Sequence, residues 1–509
     1  MPGVVIPAKS PYDGPIHIRY KVTNTILHLL RTHPTWLLIA LLIFSPAPLP
    51  AAPTLPDIGD AAAGAATPTE EKRVGESVMR NIQRSGRIIN DPLIDSYLNH
   101  LGYKLIAAGD SEMTDFHFFL IDAPDINAFA LPGGYIGIHY GLILSTRTES
   151  ELASVMAHEI AHVTQRHHAR AYNFGGGSSL PVLAALIAAI VLGGQSGEMG
   201  EAAIASITAG SIQSRINFTR ANEKEADHLG IKLLANAGFD PNSMASFFEQ
   251  MHKSNRLYGP QGPEFLRTHP VTATRIADAR DRARQYSVEM SESAETFHLM
   301  RNRIRALTSR KPAELRKEFA DNLKSGRYLN QRAERYGYVL SLMETGDYPR
   351  AKEVLDKLLD EQPQRIAFML ARAELAFARD KTEEALQHYR DALELYPGNP
   401  ALTLGYVESL LEAEQPGPAR EILRDFLRER DRKPRFYQLL AEAEEKLGNP
   451  ARAQIALGEY YYRTGLSHQA ITQFNLALKN DALEFYDASR AEARLQELKK
   501  EIAALENRP

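Results

Sequence analysis

Between residues 329 and 509 the chain repeats itself, and the repeat leaves little freedom in how that part can fold. Ala351, Ala385, Ala419 and Ala453 are each 34 residues apart. Gly346 lies five residues before Ala351 and Pro363 twelve after it; Asp380 and Pro397 hold the same offsets around Ala385, and Gly448 lies five before Ala453. A period of this length is one pair of helices with its turns, a small residue where the helices touch and a proline at the exit. Such a pair buries its apolar face only against its neighbours, so the units must stack into a solenoid. The 17-residue step from Ala453 to Ala470 is half a period and shifts the register by one helix. Residues 483–506 read as a long charged helix that caps the stack.

The chemistry lies upstream. His158, Glu159 and His162 stand in the run Ala157-His158-Glu159-Ile160-Ala161-His162, an H-E-x-x-H pattern. On a helix, residues four apart lie about one turn apart on the same face. Two imidazoles so placed can bind one Zn²⁺ at about 2.0–2.1 Å. Glu159, beside the first of them, can then take a proton from water. The helix is well marked. Thr148 with Glu151 three residues on makes a capping box. Leu152, Val155, Met156, Ile160 and Val163 recur at helical spacing, and neither Pro nor Gly interrupts Thr148 to Arg166.

A second helix carries Asn222-Glu223-Lys224-Glu225-Ala226-Asp227, followed by apolar Leu229, Ile231, Leu233 and Leu234. Glu223 and Asp227 share a face, so one carboxylate can complete a metal site while the other holds a ligand imidazole from behind. Spacing alone does not choose between Glu223 and Glu225.

The two motifs together resemble the gluzincin metalloproteases related to the CAAX-prenyl and HtpX-type membrane proteases. The resemblance implies one Zn²⁺ per chain, with His158, His162 and Glu223 as its ligands, Glu159 as general base and Asp227 as the partner of a ligand imidazole. It extends to Asn127-Ala128-Phe129-Ala130-Leu131-Pro132-Gly133-Gly134, similar to that family's NAFALPGG segment, and to His269-Pro270 with Arg275-Ile276, similar to its HPxxxxRI segment. With a C-terminal tetratricopeptide array, the whole is most similar to the periplasmic branch that enhances β-barrel assembly. There the residue matching His269 acts as a switch by occupying the open zinc position; a helix-start contact is the plainer reading. Arg275 is expected to be a transition-state or structural cation. His167 and His168 are read as surface residues. The NAFA segment is expected to supply an edge strand to which an extended substrate adds through backbone hydrogen bonds, with Asn127 as the polar residue beside it.

A chain of 509 residues is too long for one core. The expected fold is mainly α: an α+β zincin-like metallopeptidase domain with a small sheet, whose strand candidates are residues 116–121 and 135–139, followed by an α-solenoid of tetratricopeptide repeats. The boundaries are 1–52 for a signal peptide, 53–70 for a flexible leader, 71–290 for the peptidase, 291–328 for a helical connector and 329–509 for the repeats. The signal rests on Arg19, Lys21 and Arg31 ahead of the apolar run 36–44 and a Pro- and Ala-rich exit. That run is too short for a bilayer span, which needs about 20 apolar residues. Residues 180–192 are apolar between glycine clusters. They read as a buried helical hairpin, or as a glycine-hinged flap in peripheral contact with a membrane or a membrane-bound partner. A net charge of −4 without a basic patch argues against nucleic acid. The absence of cysteine excludes disulfides, a thiol nucleophile and thiolate ligands.

The resemblance therefore implies an exported zinc endopeptidase in the periplasm of a Gram-negative bacterium. Its clients would be unfolded or stalled outer-membrane β-barrel proteins, and its repeats would engage the barrel-insertion machinery. The alternative is a chaperone or adaptor for the same assembly with minor or self-inhibited protease activity.

Overall fold

In the computed structural model, residues 67–111, 113, 115–174, 209–258, 263–287, 295–429, 433–481 and 483–506 are described. The expected signal peptide, nearly all of the leader and the apolar segment 180–192 lie outside them.

The peptidase part opens with α1 (Pro68–Arg84), a two-residue strand β1 (Ile88–Ile89) and α2 (Pro92–Ala107). Thr67 caps α1 through a complete capping box with Glu70. Strands β2 (His117–Ile121), β3 (Ala128–Leu131) and β4 (Tyr135–His139) complete a sheet of order β1-β2-β4-β3. β2 and β4 are parallel, and the outer pairs are antiparallel. The NAFA strand β3 therefore lies at an edge. Its turn into β4 depends on Gly133 and Gly134, at φ of 80° and 90°. A Cβ on Gly134 would sit 2.2 Å from the Asp115 carbonyl oxygen, so only glycine fits.

Next come α3 (Tyr140–Ser145), α4 (Glu149–Thr164), α5 (His167–Phe174), α6 (Ala209–Asn236), α7 (Ser243–Tyr258), α8 (Phe265–Thr268) and α9 (Ala273–Ala283). Thr148 caps α4, its hydroxyl accepting from the Glu151 amide at 3.2 Å. The reciprocal half of the expected capping box is displaced by one residue, because the Glu151 carboxylate accepts from the Arg147 amide at 2.7 Å. Arg166, at φ 52°, breaks the chain between α4 and α5. α4 packs along α6 at Gly230, where a Cβ would lie 3.3 Å from the His158 amide nitrogen. Glycine there lets the second motif helix come down on the first.

Two helices, α10 (Glu295–Thr308) and α11 (Pro312–Ser325), each pack on α12 (Gln331–Glu344), and the remaining helices form antiparallel pairs: α12 with α13 (Tyr348–Glu361), α14 (Ile366–Ala378) with α15 (Thr382–Leu395), α16 (Pro400–Glu412) with α17 (Pro416–Glu429), α18 (Pro434–Lys446) with α19 (Pro450–Arg463), and α20 (Ser467–Ala477) with α21 (Phe485–Glu506). Ala351, Ala385 and Ala419 are fully buried at the pair contacts, with Ala453 at 2% exposure. The turn within each of these pairs has one left-handed residue, at Gly346, Asp380, Glu414 and Gly448, again 34 apart. The half-period slip is real: Gly465 makes the same turn, and Ala470 is fully buried on α20. α21 caps the stack by laying Ala491, Leu495 and Leu498 on Ala470 and Phe474.

One apolar cluster runs from Leu93 on α2 through Ile160 on α4 to Phe436 on α18, so peptidase and repeats share a core. Asp91, the N-cap of α2, accepts from Arg303 Nε at 2.8 Å, and Arg303 also donates to the Tyr336 hydroxyl at 3.0 Å. Lys433 pairs with Asp95 on the same helix. α2 thus stands between the motif helix and the repeats.

Candidate metal centre

α4 carries His158, Glu159 and His162 inward, at 1%, 1% and 8% exposure, and α6 brings Glu223 and Asp227 against them, both at 4%. The segment after α8 adds His269, whose amide donates to the Phe265 carbonyl and whose ring stacks on Phe265 at 4.9 Å between centroids.

Four atoms converge. His158 Nε2 lies 3.0 Å from His162 Nε2, 3.3 Å from His269 Nδ1 and 3.5 Å from Glu223 Oε2. His162 Nε2 lies 3.4 Å from Glu223 Oε1, and His269 Nδ1 lies 3.1 Å from both Glu223 oxygens. A four-coordinate zinc-type ion with bonds of about 2.0–2.1 Å spaces its donors by about 3.4 Å.

The outer nitrogens of the rings explain why the inner ones carry lone pairs. His158 Nδ1 lies 3.1 Å from Asp227 Oδ1. His162 Nδ1 lies 2.8 Å from His167 Nδ1, and His167 Nε2 lies 3.1 Å from Glu225 Oε2. Hydrogens assigned along that chain run from His162 to His167 to Glu225. His269 Nε2 lies 3.4 Å from Glu159 Oε1. His158 Nδ1 and His269 Nε2 lie near carboxylates without completing a hydrogen bond, and His162 Nδ1 meets the relay, so three imidazole lone pairs and one carboxylate can face each other, a set that fits a cation. Without an ion a proton must serve. Burial disfavours charge on His158, yet the Asp227 and Glu223 carboxylates push it up to about 10. Burial also acts to raise Glu223, and the His269, His158 and His162 rings hold it well below the usual carboxylate value.

Arg275 sits behind the carboxylates. Its Nε and Nη2 donate to Asp227 at 2.7 Å each, its Nη1 lies 2.9 Å from Glu223 Oε2, and it donates to the Pro270 carbonyl at 2.8 Å. The arrangement is that of a structural cation, joining α6 to the His269 segment. Glu159 Oε1 is buried and completes no hydrogen bond. Asn127 is placed apart from the four donors, at the start of β3. Its backbone carbonyl accepts from His139, and its Oδ1 is buried without a partner. A cleft of about 850 Å³ runs from Leu131, Pro132 and Gly133 past His162 to Leu229.

Two expectations need correction. His167 is not a surface residue: it is 3% exposed, because the break at Arg166 turns α5 back over α4 and seats the ring between His162 and Glu225. His168 is half-buried against the Ala130 backbone. The choice between Glu223 and Glu225, open from spacing, is made by direction, since Glu225 turns away to His167 and Arg170.

The profile of peptidase family M48 matches residues 92–283, and tetratricopeptide repeat profiles match residues 338–400 and 376–443. The chain is 35% identical over 455 residues to the beta-barrel assembly-enhancing protease of Escherichia coli (strain K12), covering 89% of this chain and 93% of that one. The chain belongs to this family of M48 peptidases. It is 37% identical over 475 residues to the putative member from Vibrio cholerae, covering 92% of this chain and 98% of that one. The mitochondrial metalloendopeptidase OMA1 of Schizosaccharomyces pombe is 27% identical over 234 residues, 45% of this chain and 65% of that one. The chain is thus a metallopeptidase with a tetratricopeptide domain. No helix among the described residues is long and apolar enough to cross a membrane.

Proposed function

We propose that this chain is an exported zinc endopeptidase of the Gram-negative periplasm that degrades stalled or misfolded outer-membrane proteins and assists their assembly through its repeats. One observation carries the catalytic part: four electron-pair donors converge beside a buried carboxylate oxygen, Glu159 Oε1, that has no hydrogen-bond partner. His158, His162 and Glu223 would hold the zinc, which when bound supplies Lewis-acid activation of water and of the scissile carbonyl. Glu159 takes the proton of the attacking water and returns it to the leaving amine. Asp227 orients His158, and Arg275 holds Asp227 and Glu223 in place. His269 is the removable fourth donor: while it sits among the others, water and substrate are excluded.

Substrate would add to the outer edge of β3. Pairing of β3 with β4 turns the polar groups of Asn127 and Phe129 inward and those of Ala128 outward. An extended client can meet the outward groups, with Asn127 Oδ1 as a nearby acceptor. The names of the relatives support barrel assembly as the setting; the insertion machinery as partner of the repeats, and a membrane contact through 180–192, are parts of the proposal that those names do not reach.

The position of His269 also favours a second reading, a chaperone whose peptidase is held off at rest. Incubating an unfolded outer-membrane β-barrel protein with the chain, Glu159→Gln and His269→Ala tests both. The proposal expects cleavage lost in Glu159→Gln and raised in His269→Ala. No cleavage by any form, with the client kept soluble, would transfer the function to the second reading.

A further inference from the structure

We propose that Asp125, His139 and Glu264 form a second divalent-cation site, of the zinc type, separate from the cluster around His158. Asp125 lies in the connection from β2 to β3, His139 ends β4, and Glu264 immediately precedes α8. One ligand atom from each lies within 4.8 Å of the others.

The decisive residue is His139. It is 2% exposed, and neither ring nitrogen completes a well-formed hydrogen bond, the ring making only a weak approach to the Asp125 backbone. Buried polar groups are almost always paired, so an imidazole this poorly partnered calls for an explanation. A neutral imidazole keeps one lone pair free to bind a metal. The two carboxylates add to the demand. Glu264 is raised by burial and by the Asp125 charge. Arg87 and Arg267 temper that charge, but neither reaches a His139 ring nitrogen. A cation answers both the orphaned lone pair and the crowded carboxylates.

One imidazole and two carboxylates suit zinc or manganese better than calcium or magnesium, which prefer oxygen alone. Binding needs the side chains to draw in from within 4.8 Å of one another to zinc-type donor spacing of about 3.4 Å. Asp125 is exposed, so it can make that movement and leaves an entry path from solvent. The ion would tie together three segments: the turn before Asn127, the end of β4 and the start of the short helix that leads to His269. A backbone bond from the Phe265 amide to the Ile126 carbonyl, 3.0 Å, already joins two of them. The bearing of the site on His269 rests on the proposed function; its existence does not.

Counting bound metal on the full chain tests the proposal. The protein is stripped with chelator, loaded with Zn²⁺, dialysed and analysed by mass spectrometry. Wild type is expected to hold two ions per chain, and a His158→Ala/His162→Ala variant to keep one. His139→Gln in that background is expected to remove it. Asp125→Asn, at an exposed position with little risk to folding, is expected to weaken the retained ion at least tenfold. If the double variant does not fold, Asp125→Asn or His139→Gln in the wild-type background should lower the count from two to one. Retention that neither Asp125→Asn nor His139→Gln alters, or a wild-type count of one, would overturn the site. Retention of Ca²⁺ in preference to Zn²⁺ would overturn its class.

Discussion

Replacing Arg275 with Met should destabilise the metal-free peptidase by about 3–5 kcal/mol, the usual cost of removing one partner from a buried ion pair. The residue is 4% exposed and bridges two carboxylates that are themselves 4% exposed. Its fork on Asp227 and its contact with Glu223 are charge-assisted bonds, each worth about 1.5–3 kcal/mol. Their simple sum overshoots, because a stranded carboxylate can take up a proton instead; for an ordinary carboxyl at pH 7 that costs about 4 kcal/mol and bounds the loss. Met keeps much of the packing on Phe248, over which the guanidinium lies at 4.8 Å. Urea unfolding in chelator, followed by helical circular dichroism, reads the effect; the single tryptophan, Trp36, lies outside the described residues and is no probe of this site. Adding Asp227→Asn should recover part of the loss, since the second stranded charge is then gone. Arg275→Lys should lose less than Met but not nothing, because an ammonium cannot reproduce the fork. A loss under about 1 kcal/mol for Arg275→Met would refute this picture of the buried network.

Other expectations follow from the same geometry. Gly230→Val should push α6 off α4, costing about 1–3 kcal/mol in urea unfolding and lowering metal affinity measured by competition with a chelating dye. His167→Ala should weaken metal binding or peptidase turnover by about 10–100-fold by releasing the His162 ring, with a smaller loss for Glu225→Gln. The stability of the chelated chain should fall with acid. His139, His167 and His168 are pushed by burial from 6.5 down to about 4, so they bind fewer protons folded than unfolded in that interval. The contribution of these three rings is full above about 6.5, drops as pH falls to about 4 and levels below, with up to about 3 kcal/mol from His139, while the raised His158 acts in the opposite sense only above about 6.5. Thermal melts across that range measure it, and a melting temperature flat between pH 6.5 and 4 would contradict the assignment.

Much of the site was legible because it is built from local periodicity. The apolar repeat from Leu152 to Val163 placed His158 and His162 on one helix face, and the positions 351, 385, 419 and 453 marked the buried contacts of the solenoid. What was hidden depends on tertiary direction. Glu223 and Glu225 sit on one helix two residues apart, and only the packing of α6 at Gly230 turns one to the rings and the other to His167. The periodicity that runs unbroken to Arg166 gives no sign of a fold-back and so leaves His167 outside; the left-handed residue at 166 reverses the chain and buries it. β1, two residues long, offers no period to detect. The repeat turns at Asp380 and Glu414 carry no glycine, so although Asp380 keeps the repeat register, the left-handed conformation they share with Gly346 and Gly448 shows only in φ. His139 looked like the ordinary end of a strand, since the residues that crowd it come from positions 125 and 264.

The central claim is that His269 is a fourth, displaceable donor on a metal held by His158, His162 and Glu223. An anomalous-difference map from crystals of the zinc-loaded chain tests it most directly. At this centre a peak is expected within about 2.0–2.2 Å of His158 Nε2, His162 Nε2, a Glu223 oxygen and His269 Nδ1, besides the one expected at His139. In His269→Ala crystals the peak should keep the first three ligands and lose the fourth. A wild-type peak bound by the three with His269 turned away, or no peak among these residues, would contradict it.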